Sequence, residues 1–217
     1  MDNVDNINSA ARKHLDDESR VGDGLARCNW PNAVDELYLA YHDNSWGVPV
    51  YDDQQLFAKM ILDGFQAGLS WIIILRKEAA FYKAFHNFDP YILANLSDEE
   101  LEKQLKNADI IRNRSKIFAV RSNAQAYLKL HAEVGFANYW WGQVGGRPLN
   151  AKLTADDTHP AKSELSEAIS KDLKKRGFKF VGPTIIYAFM EAVGLINNHL
   201  VSCHCHQTCV NKIVDLR

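Results

Sequence analysis

The chain has 217 residues, 47% of them hydrophobic, and its 25 Lys and Arg against 27 Asp and Glu leave a formal net charge of −2. That length builds one large domain or two small ones with a substantial core; no apolar run is long enough to span a bilayer, and Met1–Arg20 lacks the apolar centre of a secretory leader. The expectation is a soluble, intracellular (cytoplasmic) protein with no membrane partner, whose four cysteines are metal ligands or free thiols rather than a disulfide framework, and in which binding to nucleic acid needs a local basic patch.

Residues 1–26 are polar, with Asp2, Asp5, Asp16, Asp17 and Glu18, and read as a mobile extension before a domain spanning 27–210, with 211–217 as a tail. Asp52 or Asp53 is placed to cap a helix through Leu56, Phe57, Met60 and Ile61. The run Trp71-Ile72-Ile73-Ile74-Leu75 suits a buried strand or a helix, and helix is preferred because its surroundings are helical. Ser97-Asp98-Glu99-Glu100 reads as a capping box ahead of Leu101 and Leu105. Ser115–His131 carries Ile117, Val120, Ala124, Tyr127 and Leu128 at helical spacing. The Gly-, Pro-, Thr- and Asp-rich stretch from Gly142 to Pro160 reads as a loop. Ser163 opens a further helix that ends at Gly177, and Pro183 sits at the first turn of another whose apolar face is Ile186, Phe189, Met190 and Val193. The strand signal is weak almost everywhere, so the fold class is all-α, one compact domain.

Three constellations carry chemistry. Cys28 and His42 near one end, with His199 and Cys203 near the other, form a donor set suited to a closed tetrahedral zinc ion. The i, i+4 spacing of the last two aims both side chains the same way on a helical turn. The bland reading, two packed cysteines and two surface histidines, stays open from spacing alone. Leu173-Lys-Lys-Arg-Gly-Phe-Lys-Phe-Val-Gly-Pro-Thr184 joins two helices by a short turn with glycines at 177 and 182. Lys171, Lys174, Lys175, Arg176 and Lys179 surround that turn against only Asp172, a helix-hairpin-helix with a positive field suited to a DNA backbone. The alternative is a solvated basic helix end. A second basic cluster, Arg112, Arg114, Lys116 and Arg121, reads as a wet helical face. Finally, Trp30, Tyr38, Tyr41, Trp46 and Trp71 concentrate near Cys28 and His42. Each is core by default, but together they offer planes for stacking an extruded base, with a cation–π gain for an alkylated purine. Asp63 lies in the apolar segment Met60–Phe65, either as a helix-end carboxylate in water or as a base-reading acceptor.

The motifs Cys28-x-Trp30, Tyr41-His-Asp-Asn-x-Trp-Gly-Val-Pro49, Gly64-Phe-Gln-Ala-Gly-Leu-Ser-Trp71, Ile110-Ile-Arg-Asn-Arg114 and Lys174-Lys-Arg-Gly-Phe-Lys-Phe-Val-Gly182 stand in this order. On them the chain, from Arg27 to Cys203, resembles the DNA-3-methyladenine glycosylase I family of base-excision repair enzymes. The resemblance implies a helical domain of the helix-hairpin-helix glycosylase superfamily. It implies monofunctional hydrolysis of the N-glycosidic bond of 3-methyladenine, with no lyase step. It also implies one structural zinc ion on Cys28, His42, His199 and Cys203. Trp71 would stack on the extruded base and Tyr41 would hydrogen-bond it, with Trp46 and Trp30 lining the pocket and Asp63 and Tyr41 at the reacting base. Gly68 and Leu69 match the loop that probes the duplex, while Lys175, Gly177, Lys179 and Gly182 belong to the DNA-binding hairpin. The expected partners are double-stranded DNA with alkylated bases and free 3-methyladenine as product, with the protein a monomer. His204, Cys205, His206 and Cys209 receive no role, although a shift of register would make Cys205 a ligand. Where the family has glutamates, this chain has Asp63 and Ser45, and where the family commonly has glycine it has Asp109. The shorter Asp63 loses on the order of 1.5 Å of reach. That opens the alternative of a weakened or redirected relative that binds damaged DNA or excises another alkylated purine.

Overall fold

The computed structural model describes residues 23–31 and 35–211. Most of the 1–26 extension and the tail beyond 211 lie outside them. Asp23 to Ala26 are tied to the domain, Asp23 by an ion pair to Arg27 and Ala26 by its carbonyl, which accepts from the His204 N–H.

The described residues form a mostly helical assembly built around one buried helix. Helix α1 spans Glu36–Asn44 and α2 spans Asp53–Gln66. The Asp52 side chain accepts from the Gln55 N–H, as the capping pattern predicts. From Leu56 to Phe65, α2 is buried at nearly every position. It must therefore be covered on all sides, and it contacts α3 (Trp71–Leu75), α7 (Arg114–Val134), α8 (Phe136–Gly142) and α10 (Pro183–Ala192). Trp71–Leu75 is thus helical, as preferred. Between α3 and α7 lie α4 (Glu78–Ala84), a 3₁₀ turn at His86–Phe88, α5 (Pro90–Leu93) and α6 (Asp98–Gln104), the last with the Ser97/Glu100 capping box in place.

Helix α9, Glu164–Lys175, starts from a Ser163 cap and pairs with α10. The turn between them is fixed from both sides. Gly177 takes φ +96°, Phe178 and Val181 bury beneath it, and Ser170 Oγ donates to the Val181 carbonyl at 2.6 Å. Asn123 on α7 accepts from the Lys179 N–H and donates to its carbonyl, at 2.7 and 3.1 Å. This is the predicted helix-hairpin-helix. The 142–160 loop contributes β1, Leu149–Asn150, which pairs in parallel with β2, Ile196–Asn197, the one strand pair among the described residues. Helix α11, His204–Asn211, is the last element among the described residues. No helix among the described residues is long and apolar enough to cross a membrane.

Two sequence readings need correction. His199 to Cys203 is not a helical turn; the Cys203 N–H bonds the Leu200 carbonyl in a tight turn just before α11. Lys116 is not on a wet face. It is 7% exposed, and its ammonium donates to the carbonyls of Phe65 and Ala67 at 2.8 and 2.6 Å. Those are the orphan acceptors at the end of α2, which a cation satisfies well.

Candidate functional site

The four-ligand set assembles. Cys28, His42, His199 and Cys203 are all buried, and their ligand atoms lie within 4.8 Å of one another. His199 Nδ1 is 3.5 Å from the sulfurs of both Cys28 and Cys203, and His42 Nε2 is 3.7 Å from Cys203 Sγ. The outward nitrogens are held as well: His42 Nδ1 meets Asp43 Oδ1 at 2.7 Å, and His199 Nε2 meets the Trp46 carbonyl at 3.0 Å. Such contacts fix tautomer and ring orientation at metal sites. Burial pushes the Asp43 carboxyl up, but hydrogen bonds from Arg27, His42 and His204 outweigh it and hold the group ionised. The Cys203 thiol is driven toward the thiolate by hydrogen bonds from Cys205, Cys28, His199 and His42. The arrangement can hold a metal ion with four protein ligands and no open position. Cys205 lies beside it, its sulfur 3.7 Å from the Asp43 carbonyl, in an overlapping group with His42, Asp43 and His204.

This cluster backs directly onto the aromatic residues. The Trp46 ring lies 4.6 Å from the His199 ring, and Trp30 lies 5.3 Å from His42 and 5.0 Å from Trp46. Trp30 also packs edge-on to Tyr38 at 5.2 Å, and Tyr41 meets Trp71 at 5.3 Å. Together they wall a cavity of about 300 Å³, the low end for small-molecule sites (~300–1,000 Å³). Asp63 and Lys59 from α2, Glu191 from α10, and Asp157 and His159 from the loop supply its charged and titratable lining.

Asp63 is not a carboxylate in water. It is 1% exposed, and burial pushes its carboxyl up against the opposing pull of Lys59. Oδ1 accepts from the Lys59 ammonium; Oδ2 has no partner. Trp71 Nε1 and Trp30 Nε1 are likewise buried without partners. Buried polar atoms are nearly always paired, so four orphans on residues of one aromatic cavity, with Asn198 Oδ1 the fourth, mark a place for a polar, flat guest. Burial, with Asp63 next, holds the Tyr41 phenol protonated, so it keeps a proton to donate.

Sequence reasoning missed Lys59, Glu191, Asn198 and His159. Lys59 is one helical turn before Asp63, the spacing at which a lysine pairs with a carboxylate. Glu191 sits in an apolar run as Asp63 does, and it accepts from Asn198 Nδ2 and His159 Nε2, both at 2.7 Å. His159 had no sequence signal, since it lies in the loop.

The other expected residues fall on the surface. Gly68 and Leu69 form the exposed turn between α2 and α3, whose base Lys116 holds. Lys171, Lys174, Lys175, Gly177 and Lys179 are exposed at the hairpin, and Gly182 is the N-cap of α10. Arg176 leaves the free basic set, because Asp172 and Glu133 both hold it. Ser45 is exposed at the end of α1 and does not line the aromatic cavity; Asp109 is exposed beyond α6.

The family described as methyladenine glycosylase matches residues 30–206. The DNA-3-methyladenine glycosylase 1 of Escherichia coli (strain K12) is 45% identical over 183 residues, 84% of this chain and 97% of that protein. The DNA-3-methyladenine glycosylase of Haemophilus influenzae is 41% identical over 180 residues, 82% of this chain and 97% of that protein. A crystal structure of 3-methyladenine DNA glycosylase I superimposes with a TM-score of 0.80 at 47% identity, covering 83% of this chain and 99% of that one. The Staphylococcus aureus enzyme, solved for the structural basis of its 3-methyladenine recognition, gives 0.78 at 35% identity, covering 80% and 93%. With its hairpin, its aromatic cavity and its Cys/His cluster in place, the chain belongs to the methyladenine glycosylase family.

Proposed function

We propose that the protein is a monofunctional base-excision glycosylase, acting as a monomer on duplex DNA, that extrudes 3-methyladenine and hydrolyses its N-glycosidic bond. The observation that carries this reading is the aromatic cavity, whose lining residues carry the buried unpartnered polar atoms Asp63 Oδ2, Trp71 Nε1, Trp30 Nε1 and Asn198 Oδ1. A purine alkylated at a ring nitrogen is cationic and flat. It gains stacking of about 1–3 kcal/mol on an aromatic face, a cation–π contribution, and a charge-assisted hydrogen bond from its exocyclic amine to Asp63. Tyr41 supplies a hydroxyl at the same wall. Because the base is already a good leaving group, orientation and burial suffice. The bond from the sugar carbon to the base breaks, water adds to that carbon and loses one proton, and the electron pair leaves with the base. No lysine nucleophile is needed, so no Schiff base forms and the strand stays intact. The hairpin at Gly177–Gly182 with Lys175 and Lys179 would take the phosphates, and Gly68 and Leu69 would enter the gap left by the flipped nucleotide.

The metal is best read as zinc. Zn–S near 2.3 Å and Zn–N near 2.0–2.1 Å at tetrahedral angles set sulfur–nitrogen edges of about 3.5 Å, and the edges here are 3.5, 3.5 and 3.7 Å. A closed Cys₂His₂ site supplies folding energy rather than chemistry. It would hold the segment bearing Trp30 to the turn bearing His199, and so keep the pocket wall in place.

Release of 3-methyladenine from methylated duplex DNA tests the reading. The natural chain should free the base and leave abasic sites that break only on later alkali treatment. Trp71→Ala should lose most of that activity; full retention would put the pocket elsewhere. Tight binding to damaged duplex with no base released would favour the alternative of a binding protein, which the relatives' names do not support.

A further inference from the structure

The seat read above for the base is already taken. Lys59 donates to Asp63 Oδ1, and its Nζ lies 4.0 Å from the centroid of the Trp71 ring. These are the two contacts a cationic purine would make, a charge-assisted bond to the carboxylate and a place over the indole face. Lys59 lines the cavity and its side chain is 16% exposed, so the head has a way out toward solvent on a flexible four-carbon stem. The other charged residues lining the cavity are engaged elsewhere. Asp157 accepts from the Thr154 N–H and hydroxyl, and His159 pairs with Glu191.

We propose that Lys59 is a specificity-determining residue: its ammonium holds the place of a cationic base, and a base enters by exchanging its own positive charge for that of Lys59 on Asp63 and Trp71. The proposal rests on the assignment of this cavity as the base pocket. Exchange discriminates by charge. A neutral purine that displaces Lys59 leaves a buried carboxylate uncompensated, the costly way to break a buried pair. A purine alkylated at a ring nitrogen replaces the charge it removes. Undamaged adenine and guanine are then refused at the seat without any contact to a methyl group, and Asp63 never stands alone in the dry site.

Two probes separate charge from shape: N-methylquinolinium, a flat cation, and quinoline, its neutral counterpart above its own pKa. In the free natural protein, the ring current of Trp71 should move one lysine ε-methylene proton signal upfield. That signal should be missing from Lys59→Met and should return to the ordinary position as N-methylquinolinium fills the cavity. Apparent affinity falls by the fraction of protein whose seat is closed, so Lys59→Met should bind N-methylquinolinium at least about tenfold more tightly. The natural protein should also prefer N-methylquinolinium to quinoline. The proposal is overturned by a free protein without the upfield signal, by a signal unmoved at saturating probe, by a variant that gains nothing, or by equal affinity of the natural chain for both probes. The signal is read on the natural chain, so poor folding of the variant does not shield the idea. A chain that shows the exchange but frees no 3-methyladenine keeps this proposal and sinks the glycosylase reading; release of the base without the exchange does the reverse.

Discussion

Gly47 stands where the pocket wall meets the Cys/His cluster, and replacing it with alanine tests whether the two are one unit. Its φ is +78°, and a Cβ built on it would lie 2.8 Å from His199 Nε2 and 2.9 Å from His199 Cδ2. Non-bonded heavy atoms prefer about 3.5–4.0 Å, so the imidazole or the peptide must move. The left-handed backbone alone costs an L-residue about 1–2 kcal/mol. His199 is 0% exposed and its Nε2 is held by the Trp46 carbonyl, one residue before Gly47. Any rotation that relieves the clash breaks that contact, and losing such a support costs a metal site about 10–100-fold in affinity. At this chain length each kcal/mol lowers the melting temperature by roughly 2–4 °C, so the backbone contribution alone predicts a fall of about 2–8 °C. The assay is metal content per chain after dialysis against a graded chelator, with melting curves on the same samples. Gly47→Ala should release its metal at lower chelator and melt earlier. If it keeps its metal against the same chelator and melts within about 1 °C of the parent, the crowding deduced here does not exist.

Lys116→Met leaves the Phe65 and Ala67 carbonyls without their ammonium donor; it should cost about 1–3 kcal/mol in a denaturant titration and open the 67–70 turn to proteolysis, whereas unchanged stability would assign the lysine no role. Asp63→Asn keeps the shape but removes the charge, and a bond to a charged group is worth about 1.5–3 kcal/mol; kcat/KM for 3-methyladenine release should fall roughly 10–100-fold, and an undiminished rate would take Asp63 out of the site. Replacing Lys179 by alanine should lower the slope of log affinity against log salt by about 0.9, while a slope that does not change places the phosphates elsewhere. The Glu191 hydrogen bond raises the His159 imidazole above its ordinary value, against burial. The folded state therefore favours the proton: the pair's contribution is full below about pH 6.5 and is lost as pH rises through the raised pKa. The stability gap between the natural chain and His159→Gln should shrink across that window; a constant gap would exclude the pair.

What the sequence disclosed, and what it withheld, divides by distance along the chain. Asp52, Ser97 and Ser163 mark helix starts correctly because a cap bonds an N–H only three residues away, and Pro183 does so because its fixed φ and missing N–H suit a first turn. Leu149 pairing with Ile196 was invisible, since two-residue strands carry no periodicity. Lys116 read as a surface cation because its acceptors lie 51 and 49 residues earlier in the chain. Arg176 read as free for the same reason, with Glu133 lying 43 residues before it. His199 and Cys203 do face one way, as their spacing asks, but a tight turn achieves it rather than a helix. For the site, residue types pointed to the aromatic wall and the donor set. They could not reveal that Lys59 folds back onto Trp71, because a lysine stem has many rotamers and only the buried Asp63 selects this one.

The pocket and the Cys/His cluster are not separable features that share a chain. Trp46 carries its carbonyl to His199 and its ring to the cavity. Trp30 packs against His42 on one side and Tyr38 on the other. Cys28, one of the four clustered Cys and His residues, lines the cavity itself. Helix α2 lines the cavity with Lys59 and Asp63, and because it is buried at nearly every position from Leu56 to Phe65 it can shift little. The wall made by Trp30 and Trp46 belongs to short segments with no helix of their own at Cys28–Trp30 and Ser45–Gly47. Ser45–Gly47 is held by backbone bonds to Tyr41 and Ala192, and a cross-link through four side chains would tie the Cys28–Trp30 segment to that turn. Metal removal should therefore act on base affinity before it acts on the helical content: chelation should weaken 3-methyladenine binding while far-ultraviolet circular dichroism stays nearly unchanged. If the helices melt together with the loss of binding, the cluster holds the whole domain rather than one wall of its pocket.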